Sequence, residues 1–262
     1  MRRILLFAAA LAAAGCGVGG GSGAPEKKQS AAVEAPKPEA APKPVEYFHV
    51  DPATAGALGG TVTFHGTKPP REVINMDAEH GCQQANAGKP VYSPAVLTGT
   101  HAGLTNAFVY IEAGLENKKF EPVKEPAVVL DQHGCMFLPR VIGIRAGQTL
   151  DLKNGDSVAH NIHPMPTNNR EWNQEQAPHA PDVPHRFARP EIMIPVKCNI
   201  HAWIGVVDHP YFAVTGPDGA FEWKNVPPGD YTVSVWHEKL GGQKQQVHLA
   251  ANGTAAVNFT YR

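Results

Sequence analysis

The chain has 262 residues, with 23 Lys and Arg against 24 Asp and Glu and a formal net charge of −1. That balance, with no basic stripe, excludes the electrostatic footprint of a nucleic-acid-binding protein. The length allows one large or two small domains with real cores, and 13 His against 4 Cys keeps metal chemistry in view.

The N-terminus reads as a targeting segment over residues 1–15. Arg2 and Arg3 precede an apolar run, 4–14, which closes on small residues before Cys16. The run is too short to span a bilayer as a permanent helix. Its ending, Ala13-Ala14-Gly15-Cys16, resembles a bacterial lipobox, which implies that Cys16 is lipidated and becomes the mature N-terminus. The expected location is the cell envelope, in the periplasm or at the cell surface. Gly17 favours the outer membrane if the source is Gram-negative. Residues 16–48 are rich in Gly, Ala, Pro, Glu and Lys. They cannot bury enough surface to offset their ordering entropy, so they are expected to form a disordered tether reaching about 30 Å.

Beyond Gly59 the pattern is β. Short apolar or alternating runs occur at 61–64, 107–111, 128–130, 141–144, 149–153 and 191–196, then at 213–215, 221–223, 231–236, 246–249 and 255–261. Gly, Pro, Asn and Asp punctuate them, and no helical period is sustained beyond a dozen residues. The fold class is therefore all-β, and two β-sandwiches are the economical arrangement.

Two resemblances refine this. The turns Pro217-Asp218-Gly219 and Pro227-Pro228-Gly229, followed by Tyr231-Thr232-Val233, resemble the end of a carboxypeptidase regulatory-like (transthyretin-like) domain. Gly60-Thr61-Val62-Thr63-Phe64 and the strand from Asn106 fit its beginning. This implies a regulatory-like sandwich made of residues 49–115 and 211–262, with residues 116–210 inserted. Two consecutive domains split near His209 are the competing arrangement.

The stretch from Met136-Phe137-Leu138-Pro139 through Gly147 to Asn154-Gly155-Asp156 and His160-Asn161, with Cys198-Asn199-Ile200-His201 downstream, closely resembles a cupredoxin. The resemblance implies a Greek-key copper domain with His160, Cys198 and His201 as equatorial ligands. One thiolate and two imidazoles make the trigonal set of type 1 copper. Asn161 matches the asparagine that braces the ligand loops. The weak axial ligand of the family is usually Met, and here Ile204 stands in its place. Ile204 cannot donate, so His163 and Met165 are the alternative axial candidates.

Other chemistries weigh less. A Cys-x-x-His pair could be half of a zinc site completed by His133, Cys135 and Cys82. A nucleophilic Cys198 would want an oxyanion-type glycine elbow, which the sequence lacks. A two-copper centre needs a second cysteine in the ligand loop. Cys82 and Cys135 are most simply a disulfide in an exported protein. A soft-metal site with His80, His133 and Met136 is the alternative. His237 is expected at the surface or hydrogen-bonded, His179, His185 and His209 mostly in solvent, and Trp203 either as a docking rim or in the core.

The function implied is a lipid-anchored extracytoplasmic copper protein, not an enzyme, which carries single electrons on one copper ion. Its partners would be redox proteins such as a cytochrome or a terminal oxidase. The rivals are an envelope copper-delivery protein and a structural surface module with a degenerate copper site.

Overall fold

A computed structural model of the chain describes residues 45–77, 79–197 and 200–262. The expectations for the targeting segment, Cys16, the tether up to residue 44 and Cys198 lie outside the described residues. The described part has 19 strands and a single α-helix. Residues 45–262 form one compact unit. No helix among the described residues is long and apolar enough to cross a membrane.

The first part of the chain carries β1 (Gly56–Phe64), β2 (Val73–Ile74), a short helix α1 (His80–Ala85), β3 (Val91–Tyr92) and β4 (Phe108–Ala113). The middle begins with β5 (Val128–His133), β6 (Met136–Leu138), β7 (Val141–Arg145), β8 (Leu150–Asn154) and β9 (His160–Pro164). It continues with β10 (Gln174–Gln176), β11 (Val183–His185), β12 (Glu191–Lys197) and β13 (His201–Val207). The last part holds β14 (Phe212–Val214), β15 (Ala220–Val226), β16 (Gly229–His237), β17 (Gly241–Leu249), β18 (Thr254–Ala256) and β19 (Phe259–Tyr261).

Strands from the two ends of the chain pair with each other. One sheet is ordered β15-β1-β18, with β19 also on β1, and a second is ordered β14-β4-β16-β17. Between them lies an apolar core that includes Leu58, Val62, Val109, Trp223, Val233 and Phe259. The Asp218-Gly219 turn requires its glycine. Gly219 has φ +69°, and a Cβ there would lie 2.2 Å from the Val62 carbonyl oxygen.

The middle strands pair only among themselves, in sheets ordered β10-β9-β12-β13-β7 and β11-β8-β5-β6. Their inward faces share a core of Leu130, Phe137, Ile142, Leu152, Ile162, Ile194, Ile204 and Val206. β13 runs parallel to β7, and β5 parallel to β8.

The two sandwiches meet on the outer face of β7 and β13. Phe108, Val141, Met193 and Val207 are buried there, with Phe212, Trp203 and Trp236 packed against them. Glycines make the approach feasible. A Cβ on Gly143 would sit 2.5 Å from the Phe212 ring, and one on Gly205 would sit 2.5 Å from Phe108. Arg140, just before β7, donates to Glu238, just after β16, at 2.7 Å. Trp203 Nε1 donates to the same carboxylate at 3.3 Å.

Candidate metal centre

The Asn154-Gly155-Asp156 segment organises one end of the middle sandwich. Asn154 ends β8, and its side-chain amide donates to the carbonyls of Val158 and Ala177 at 2.9 and 3.0 Å. Its Oδ1 accepts the Asp156 N–H at 3.0 Å. The chain is thereby folded back so that the Asp156 carboxylate points inward, where it is 7% exposed. Oδ1 accepts the Gly134 N–H at 2.7 Å, and Oδ2 accepts the Cys135 N–H at 2.8 Å. The Nε2 of His160 donates to Oδ2 at 2.8 Å. A carboxylate on one ring nitrogen fixes both the tautomer and the ring orientation, which is the usual support of a metal-binding histidine.

His160 opens β9 and is 8% exposed. Ile162 and Pro164, on the same strand face, are also buried. Gln132, Cys135, Met136, Phe137 and Ile200 share with His160 the lining of one small cavity. Cys135 is joined to Cys82 of α1 by a disulfide, with Cα atoms 5.6 Å apart. The two sulfurs and a ring nitrogen of His160 lie within 4.8 Å of one another. With the sulfurs bonded to each other, this trio offers no thiolate. The same bond removes the soft-metal arrangement with His80, His133 and Met136, and the zinc arrangement, in their thiolate forms. His80 instead contacts Gln84 at 2.9 Å.

β12 and β13 bracket the segment that holds Cys198. Lys197 pairs with His201 across that hairpin and with His163 of β9 on its other side. Ile200, directly before β13, lines the same small cavity as His160.

His201 stands elsewhere. It is exposed as the first residue of β13 and shares a strand face with Trp203. It lines an outer recess together with Arg140, Met165, Lys197, Ile200 and Trp203. His160 faces inward, so strand alternation sets the two imidazoles on opposite faces of one sheet.

The same alternation places the axial candidates. Ile204 is not on a ligand loop. It is fully buried in β13, paired with Ile142 and Ile194. His163 falls on the outer side of β9, opposite to His160, and Met165 directly follows the strand. His163 is held by Glu171 at 2.6 Å, and Met165 faces the recess of His201. Asn161 is exposed and paired with Glu175 of β10. The bracing seen at this end comes from Asn154 and Asp156, whose Asn-x-Asp spacing was the available signal.

His209 is buried where solvent was expected, and His237, expected at the surface or hydrogen-bonded, is buried with its Nδ1 accepting the Lys239 N–H at 3.3 Å. The Nε2 of His209 donates to the Ile111 carbonyl at 2.9 Å, and its Nδ1 accepts the Tyr211 N–H at 3.2 Å. Burial pushes its pKa down. His237 is 1% exposed, and burial pushes its pKa down to about 4. His185 is half-buried and stacks on Trp172 at 3.9 Å.

No protein-family model matches the chain, and no curated protein matches it. Solved structures give partial likenesses. A Cu-containing nitrite reductase from Thermus scotoductus aligns at 20% identity and a TM-score of 0.30, over 37% of this chain and 25% of that one. The chain thus spans a quarter of the reductase. A purple cupredoxin from Nitrosopumilus maritimus aligns at 18% identity and a TM-score of 0.26, over 31% of this chain and 99% of that one. An oxidised amicyanin variant aligns at 14% identity and a TM-score of 0.28, over 37% of this chain and 97% of that one.

Proposed function

We propose that the chain is a type 1 copper protein that carries single electrons, with His160, Cys198 and His201 as the metal-holding residues. The observation that carries this reading is the buried His160, fixed through Nε2 by Asp156 and sharing a small cavity with Ile200, which follows Cys198 by two positions in the sequence. With Nε2 engaged by the carboxylate, metal binding by His160 goes through Nδ1. A thiolate, a neutral imidazole and an apolar surround fit copper better than a hard cation. Bound copper would supply a one-electron Cu(I)/Cu(II) couple.

The chain's own residues define the rest. Asp156 holds the His160 ring against rotation, and the inward apolar face of β9, β12 and β13 keeps bulk water from the site. His201 opens β13 through a single strand pair with Lys197. Releasing that pair lets its imidazole turn around the sheet end toward His160. The exposed edge of His201 is then where a redox protein, such as a cytochrome or an oxidase, would meet the site in a small transient contact. Ile204 in the core leaves the site without a donor from that position, which favours Cu(I).

The middle strands are read as a cupredoxin-type domain, residues 116–210, inserted into a regulatory-like sandwich of residues 49–115 and 211–262. Pairing of β1 with β15 and of β4 with β16 supports this organisation. A lipid at Cys16 would tether the whole to the cell envelope. A second reading, reversible copper delivery, is favoured by His201 lying on the outer face, since Cys198 and His160 alone would form a two-donor Cu(I) site.

The test is to titrate the purified full chain with Cu(II) and record its visible spectrum. An intense thiolate-to-copper band that bleaches with ascorbate, returns on oxidation and is lost in Cys198→Ser supports the carrier. Colourless exchangeable Cu(I) binding supports delivery. Failure to take up stoichiometric copper defeats both and leaves a structural module.

A further inference from the structure

The disulfide beside His160 does more than close a loop. Cys82 is the one buried residue of α1, a helix of six residues. Cys135 sits in a tight turn at φ +58°, directly after Gly134 at φ +61°. Two hydrogen bonds hold this turn to Asp156. The side-chain amide of Asn86 donates to both the Cys82 carbonyl, at 2.9 Å, and the Gly134 carbonyl, at 3.2 Å. None of these contacts depends on the S–S bond. Breaking that bond therefore leaves both cysteines and His160 on the same anchors.

We propose that reduction of Cys82–Cys135 turns this place into a thiophilic metal site, with Cys82, Cys135 and His160 as ligands for Zn(II) or Cu(I). The three donor atoms already lie within 4.8 Å of one another. Bonds of about 2.3 Å to sulfur and about 2.0 Å to nitrogen need donor separations somewhat under 4 Å, a shift that side-chain torsions supply. A dithiol reductant delivers two electrons by exchange. It attacks one sulfur, passes through a mixed disulfide and leaves as its own cyclic disulfide, with two cysteine thiols formed. Metal binding then displaces the two thiol protons to solvent. The site needs neither Cys198 nor His201. It shares only His160 with the proposed copper centre, so the two compete for one imidazole.

The experiment uses the full chain carrying Cys16→Ser and Cys198→Ser, which leaves Cys82 and Cys135 as its only cysteines. The protein is reduced with dithiothreitol, desalted without oxygen and titrated with Co(II), followed by displacement with Zn(II). A parallel arm measures Cu(I) uptake against a chromogenic chelator. The expected result is one Co(II) per chain with a thiolate-to-Co(II) absorption, absent from the oxidised protein. Affinity should weaken by about 10-fold or more in the added variant His160→Ala, since even outer-shell partners of metal ligands contribute that much. Preference between the Co(II) and Cu(I) arms identifies the ion. The proposal is overturned if the reduced protein shows no such band, if His160→Ala binds equally well, or if circular dichroism shows that reduction unfolds the chain. Because Cys198 is absent, failure here leaves the electron-carrier reading standing, and failure of that reading leaves this one.

Discussion

Asp156 and His160 face each other through a 2.8 Å hydrogen bond, with both side chains almost fully buried. The same carboxylate accepts the backbone N–H groups of Gly134 and Cys135. One residue thus sets the ring of the candidate ligand and the turn that carries the disulfide.

Asp156→Asn should weaken copper binding by about 10- to 100-fold, the range for loss of an outer-shell carboxylate. The amide retains one acceptor oxygen but cannot serve three donors. Competitive Cu(II) titration checks this, and unchanged affinity would remove Asp156 from the site.

Ile204→Met should leave the copper spectrum and reduction potential as they are. Ile204 points into the core between Ile142 and Ile194, so the exchange is a volume-conserving one that costs under about 1.5 kcal/mol. A lowered potential would mean that position 204 reaches the metal after all.

Copper loading should deprotect the backbone amide of His201 in hydrogen exchange, because its terminal pair with Lys197 must open for the ring to reach His160. Unchanged protection, together with an unaltered copper spectrum in His201→Ala, would exclude His201 as a ligand.

Glu238→Ala should destabilise the fold by about 3–5 kcal/mol, as expected when a buried charge loses its partner. Arg140 and Glu238 are 9% and 5% exposed at the junction of the two sandwiches. Chemical denaturation measures the loss. A cost below about 1 kcal/mol would show the pair to be solvated.

His237 should make stability depend on pH in the acid range. Its folded pKa of about 4 lies below the unfolded 6.5, so the unfolded chain binds the proton more readily between those values. Stability is therefore complete above about pH 6.5 and falls as the pH drops toward 4, by about 3 kcal/mol at most. Between pH 6.5 and 4 the melting temperature should fall more steeply in the protein than in His237→Phe, which lacks this proton uptake. Parallel pH profiles would contradict the assignment.

The β character was legible because alternation and turn residues act locally. The runs at 128–130, 141–144, 191–196 and 231–236 all lie within strands. β13 was missed because Cys198-x-x-His201 drew residues 201–204 into a supposed ligand loop. In the fold, Ala202, Ile204 and Val206 are core residues. The role of Asp156 was hidden for a related reason. The Asn-x-Asp spacing marked the residue, but its three donors come from Gly134, Cys135 and His160, and that spacing does not record a carboxylate shared across a turn and a strand.

By itself, the sequence determined the chemistry on offer: one cysteine and two histidines in two motifs, a β-rich chain, and the turns that reverse it. Those follow from side-chain identity and near-neighbour sterics. Only the tertiary structure decided which face each residue occupies. Strand register sends His160 inward and His201 outward, buries His237 and Ile204, and brings Cys82 and Cys135 to the ring of His160. Such placements arise from pairing between distant strands, where a shift of one residue would reverse every side chain.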